Sequence, residues 1–187
     1  MKMLKKIAAA IMAVAMATLM LTACGEDSTP SFGKQVEDAA IKAVNTALGE
    51  NSALTNDSTL RAQAAQMLEK VNADGKIVAK EGFTGSSKPT DKENVVEITL
   101  GIAVKDIKEV IAGERDALVD AMEVTAADLA KLQDPKANGI DDVLKGYNGE
   151  IKAIGVATKT LSNGKTYMAM VVTCTVEYGT VPTQPAQ

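Results

Sequence analysis

Tryptophan and histidine are absent from this chain of 187 residues, and two Phe and three Tyr supply all of its aromatic surface. Without histidine, the side chain that titrates nearest neutral pH is missing, and so is the commonest metal ligand. Triads built on histidine and the usual zinc sites are thereby excluded. Scarce aromatics argue against a stacking platform for sugars, leaving only a few Tyr for that role. Cysteine is nearly missing as well, with only Cys24 and Cys174. A basic excess is lacking: 20 Lys and Arg stand against 24 Asp and Glu, for a formal net charge of −4. Such a balance does not favour nucleic acid or an anionic membrane surface, so no nucleic-acid partner is expected. Residues 7–21 form an apolar run interrupted by one Thr, short against the roughly 20 residues that span a bilayer.

What surrounds that run gives it a meaning. Lys2, Lys5 and Lys6 precede it, and the small residues Thr22 and Ala23 stand just before Cys24, the layout of an export signal. Leu21-Thr22-Ala23-Cys24 resembles the lipobox of bacterial lipoproteins. That resemblance implies a signal peptide over 1–23, a lipidated Cys24 at the new terminus, and anchoring to the cell membrane or outer membrane on its extracytoplasmic side. Two or more acyl chains anchor stably where one does not. The competing reading, an uncleaved transmembrane helix, suffers from the short run. Gly25 occupies the place where an Asp retains many Gram-negative lipoproteins at the inner membrane, so outer-membrane or surface placement stays open. Loss of 1–23 takes three lysines and no acid, moving the net charge from −4 to −7. Cys174 is then alone, unable to form an intrachain disulfide. Its β-branched surroundings point to a small buried hydrophobe rather than a reactive thiol, and no histidine stands near to lower its pKa.

Along the mature chain, 24–34 is a polar tether, 35–178 one domain, and 179–187 a polar tail. Val36, Ala40, Ala43, Val44 and Ala47 recur at helical spacing, with Ile41 and Leu48 widening the apolar face of a helix that ends near Gly49. Asn56, Asp57 and Ser58 offer caps to a second helix with the stripe Leu60, Ala64, Met67, Leu68, Val71. Residues 72–91, punctuated by Gly and Ser, predict a loop-rich excursion with a short strand at 76–79. Val96, Ile98, Leu100 and Ile102 alternate with Glu97, Thr99 and Gly101 in a half-buried strand over 95–103. Ile107, Val110, Ile111, Leu118 and Met122 predict a longer helix weakened at Gly113. Thr125 and Asp128 form a capping box for a helix ending before Pro135. A further short helix is expected over 139–146. Strands over 151–158 and 166–178 flank Asn163-Gly164, the dipeptide of a tight hairpin. The second is apolar on both faces around 168–172, as a central strand would be.

Several short pieces share an order with one known superfamily. Val44-Asn45 and Asn51, with Leu48 where Arg is usual, precede Asp57-Ser58-Thr59-Leu60 and Ala64; Glu93-Asn94-Val95, Gly139-Ile140 through Leu144, Ile154-Gly155-Val156 and Gly164-Lys165-Thr166-Tyr167 follow. This order resembles the cysteine-rich secretory, antigen 5 and pathogenesis-related (CAP) superfamily. The resemblance covers most of 39–172 and rests on short, degenerate motifs. It implies an α+β domain: a three-layer α/β/α sandwich around a small, mainly antiparallel sheet. It also implies a central cleft in which family members often carry two His and two Glu able to hold a divalent metal. Here the first His position falls at Met67 and the second near Ile140, and Glu93 is the one carboxylate retained. Neither Met67 nor Ile140 ligates a hard or borderline ion, so no metal and no cofactor is expected.

Other carboxylates offer little more. Asp141-Asp142 with Glu150, or Glu114 with Asp120, lack a motif fixing their geometry. Residues 134–142 lack the alternation and closing Glu of a calcium loop. Gly75 and residues 82–87 lack the Lys-Ser/Thr of a phosphate cradle. Met67, Met122, Met168 and Met170 are expected to fill core gaps rather than bind Cu(I). No catalytic residue is assigned. The sequence favours a lipid-anchored, non-catalytic binding module whose partner is a protein or a small apolar ligand. The rivals are an envelope hydrolase using carboxylates, with Glu93 as acid or base, and an envelope assembly or inhibitor subunit.

Overall fold

The computed structural model describes residues 30–49, 52–111, 115–134 and 149–177. Helix α1 spans Phe32–Leu48, capped by Ser31, whose hydroxyl accepts from the Lys34 N–H at 3.3 Å. Val36, Ala40, Ala43 and Val44 are buried along it, as their spacing predicts. Helix α2 spans Ser58–Leu68; the Asp57 carboxylate accepts from the N–H groups of Thr59 and Leu60, both at 2.9 Å. Strands β1 (Lys76–Val78), β2 (Phe83–Pro89) and β3 (Val95–Ile102) follow, then a short helix α3 (Ile107–Ile111). The remainder is β4 (Leu118–Asp120), β5 (Glu123–Val124), α4 (Ala126–Gln133), β6 (Gly149–Thr160) and β7 (Thr166–Glu177). This is a mixed α+β domain whose strand pairings are antiparallel.

β7 is the centre of the main sheet. β3 and β5 share one of its flanks, β6 takes the other, and β2 lies outside β3. Thr166 through Val172 are buried at every position, so the strand that reads apolar on both faces is covered on both. Its hairpin with β6 turns at Gly164, where φ is +78°, a left-handed value that glycine adopts without steric cost. α4 carries the reciprocal backbone contact expected of its cap: the Thr125 N–H donates to Asp128 at 2.8 Å.

Two expectations fail. The long helix expected from Ile107 to Met122 ends as α3, and Leu118–Asp120 is instead a strand paired with β1. Leu118, Val119 and Asp120 alternate exposed, buried, exposed, a period of two that the flanking helical spacing masked. Residues 83–89, expected within a loop, form β2 along the whole length of β3. Gly85, Ser86 and Ser87 have poor strand propensity, but pairing to β3 overrides it. The helix expected over 139–146 and the tail over 179–187 lie outside the described residues.

Pairing of β1 with β4 sets Lys76 beside Asp120, with Nζ 2.8 Å from the carboxylate. The hydrogen bond from Lys76 holds the Asp120 carboxyl below its ordinary 3.8. A depressed carboxyl contributes stability above its unfolded value, and the contribution disappears as pH falls through the lower folded value. Both side chains are about half exposed, so the effect stays below about 1 kcal/mol. Asp120→Asn should therefore have a lower urea midpoint than the parent at pH 6, and the gap should narrow as pH is lowered to 2.5. A gap of unchanged size at both values would contradict the assignment.

Candidate functional site

A dense polar cluster closes the outer edge of β6. The segment between α1 and α2 runs beside that edge: Asn56 forms a parallel bridge with Ile154, and the Asp57 N–H donates to the Ile154 carbonyl at 2.8 Å. The Asn56 side chain does the work of a neighbouring strand. Its Oδ1 accepts from the Val156 N–H and its Nδ2 donates to the Val156 carbonyl, both at 2.9 Å. Asn45, in the last turn of α1, holds the same segment: Nδ2 donates to the Leu54 carbonyl at 2.7 Å, and Oδ1 accepts from the Leu54 N–H at 2.8 Å and the Ser52 hydroxyl at 2.6 Å. Val156 is fully buried, so Asn56→Ala would strand its N–H and carbonyl. The expected cost is about 2 kcal/mol, together with faster amide exchange at Val156. Unchanged Val156 protection in that variant would count against the edge cap.

Glu37 completes the cluster from α1. Only 3% exposed, its carboxylate accepts from Arg61 Nε at 2.9 Å and Nη2 at 3.1 Å, and from the Thr158 N–H and hydroxyl, each at 3.1 Å. Asn56 Nδ2 lies 3.4 Å from it. The Glu37 carboxylate in turn raises the Arg61 guanidinium above its ordinary value, mainly through their hydrogen bond. Every lone pair of this buried acid is thus engaged in joining α1, α2 and β6, which leaves no free oxygen for chemistry. Sequence reading missed Glu37, although a signal existed: it stands four residues before Ile41 on the widened apolar face of α1.

The candidate cleft residues are placed apart. Met67 is buried on α2 against Gly101. Glu93 is exposed in the turn between β2 and β3, where neighbouring Asn94 adopts a φ of +61°. Gly101 stands six positions along β3 from Val95, about 20 Å of extended chain. The structure therefore does not bring Met67 and Glu93 together, and Ile140 lies outside the described residues, as does Cys24. Of the paired carboxylates, Glu150 meets Lys152 and Asp120 meets Lys76; Glu114, Asp141 and Asp142 lie outside the described residues. Among the described residues no group of three His, Cys, Asp or Glu is placed to hold a metal ion. Cys174 is buried on β7.

A concavity lies instead at the end of the sheet where β6 begins. It is an open groove of about 780 Å³ between the β2–β3 turn and the first residues of β6, lined among others by Lys88, Lys92, Glu97, Glu150, Lys152 and Thr175. Lys88 pairs with Glu97 at 2.8 Å, and Lys152 pairs with Glu150. A second hollow of about 480 Å³ adjoins it, with Leu48, Ala53, Leu54 and Ile151 in its wall. The two share Gly149, Glu150 and Lys152. Charged rims with a modest apolar wall suit recognition of a polar surface better than burial of an apolar molecule. Sequence reading missed this groove because its residues come from four strands that only the sheet register aligns.

No protein-family model matches this chain, and no curated protein and no solved structure matches it either. No helix among the described residues is long and apolar enough to cross a membrane.

Proposed function

We propose that this chain is an extracytoplasmic lipoprotein moored through Cys24, and that its domain is a non-catalytic binding module with a CAP-like arrangement. The mooring rests on Leu21-Thr22-Ala23-Cys24 behind a lysine-led apolar run. Support for three layers comes from β6: Gly155 lies against the backbone of α2, whereas Thr158, three residues on and therefore on the opposite face, meets Gly33 and Glu37 of α1. Support for the CAP-like order comes from the residues that carry it. Asn45 clamps the interhelical segment, Asp57 caps α2, Leu60 and Ala64 are buried, Gly155 admits α2, and Gly164 makes the turn.

The observation that carries binding over catalysis is the groove at the start of β6, lined by paired charges rather than by a converging acid and base. It favours a protein partner over a small apolar ligand. Its position fits a moored receptor: α1 starts beside Thr158 and ends at Leu48, beside the groove. Its 17 residues cover about 25 Å, so the groove lies about one helix length from Phe32, the end of α1 that follows the proposed tether.

Two experiments test this. In cells, the native chain should fractionate with membranes and Cys24→Ala should become soluble; an unchanged distribution would remove the mooring. Purified Cys24→Ala protein should neither retain stoichiometric zinc after dialysis nor hydrolyse envelope peptides or glycans. A hydrolysis abolished by Glu93→Gln would establish the rival reading as a carboxylate hydrolase.

A further inference from the structure

We propose that β2 is a pairing edge, and that a second copy of this chain adds to it in antiparallel register, fusing the two main sheets about a two-fold axis at Gly85. The proposal is independent of the mooring, and its seam shares Lys88 and Pro89 with the lining of the groove.

The phase of the ladder shows which backbone groups are free. Beyond the two ends of β2, the Ala103 N–H donates to the Gly82 carbonyl at 2.8 Å and the Thr90 N–H to the Val95 carbonyl at 3.3 Å. Even-numbered residues therefore turn their backbone groups toward β3. Phe83, Gly85 and Ser87 turn theirs outward, and among the described residues β3 is the only strand paired with β2. Pro89, which has no N–H, falls in the same outward set, the one place in a sheet where proline costs no ladder bond. Thr84 through Pro89 are all exposed, and the space around Gly85 holds only Leu100.

The two outer edges of the main sheet are treated oppositely. β6 is closed by Asn56, Asp57 and Glu37, whereas β2 has no such cover among the described residues. The usual guards of an exposed edge, charge and proline, stand at one end only, as Lys88 and Pro89. Residues 83–87 carry no charge.

The free groups are self-complementary. With the axis at Gly85, Phe83 faces Ser87 of the second copy and Gly85 faces its own equivalent, each pair exchanging two hydrogen bonds. Lys88 falls opposite Gly82 and Pro89 opposite Glu81, so no like charges oppose each other despite the acidic chain. Phe83 would cover Ser87 of the second copy. Because the β6 edge is closed, addition stops at two copies instead of continuing into a fibre.

The test uses the soluble Cys24→Ala chain. Sedimentation across about 5 to 200 µM should show a monomer–dimer equilibrium. Ser87→Pro removes one outward N–H from each copy while sparing the β3 ladder, and should weaken dimerisation at least about ten-fold with the thermal midpoint little changed. Register is read separately. Thr84 would face Ser86 of the second copy with Cα atoms about 4.5 Å apart, within disulfide reach. Thr84→Cys mixed with Ser86→Cys in a glutathione buffer should cross-link, and Thr84→Cys alone should not. A monomer at every concentration, a dimer indifferent to Ser87→Pro, or equal cross-linking of Thr84→Cys alone would each overturn the proposal.

Discussion

Gly155→Val should destabilise the domain by about 3 kcal/mol or more, even though it replaces a poor strand former with one of the best. Strand propensity alone would favour Val by up to about 1 kcal/mol. Packing opposes it. A Cβ on Gly155 would stand 2.5 Å from Leu60 Cβ and closer still to the Leu60 carbonyl carbon and the Arg61 nitrogen. Those last two are backbone atoms of the first turn of α2, so relief requires moving the helix rather than turning a side chain. Overpacking costs typically 1–3 kcal/mol when neighbours can adjust; here the upper end or beyond is expected. Gly101 supplies the control, because a Cβ there meets Thr84 Oγ1 at 2.7 Å and Met67 Sδ at 3.0 Å, both on side chains that can rotate. Urea unfolding should rank Gly155→Ala well below Gly101→Ala in stability. Equal losses would mean that α2 does not rest on Gly155 as the structure shows.

Glu37→Leu carries the second large effect, a loss of about 2–4 kcal/mol against a total stability of 5–15 kcal/mol typical of a domain. The substitution preserves the apolar character of the α1 face yet leaves the Thr158 N–H and hydroxyl without their acceptor. Each unsatisfied buried group costs about 1–3 kcal/mol. Breaking a fully buried ion pair costs about 3–5 kcal/mol, but Arg61 is half exposed and can turn to water, which lowers the figure. Glu37→Gln separates the contributions, since it retains an acceptor for Thr158 and loses the charge. It should cost about 1 kcal/mol, and Arg61→Ala a similar amount. If Glu37→Leu proved as stable as the parent, the cluster would be incidental to the fold. Thermal midpoints give a second readout, at about 2–4 °C per kcal/mol for a domain near this size.

Elements with a strong period were legible in the sequence. The stripes of α1 and α2, the alternation of β3, the Asn163-Gly164 turn and the Thr125–Asp128 cap each express one local rule, and each is found where expected. β2 and β4 were not legible because their residues adopt strands through a partner: Gly85-Ser86-Ser87 through β3, and Leu118–Asp120 through β1. The same distinction governs the candidate site. Met67 reads equally well as a core residue or as a replaced ligand, and only tertiary placement against Gly101 decides for the core. Glu37 is an ordinary helical acid until Thr158, 121 residues later, is brought to it. The charged groove depends on the rung Lys88–Glu97–Thr175–Glu150, which is created by strand register and by no contiguous motif.

The proposed function would have mooring at Cys24 make this domain a receptor at a membrane surface, and the mass of the N-terminal peptide from membrane-extracted native protein tests that proposal most directly. The expected species begins at Cys24 and carries a diacylglyceryl thioether. A peptide beginning at Met1, with the Cys24 thiol free, would contradict it.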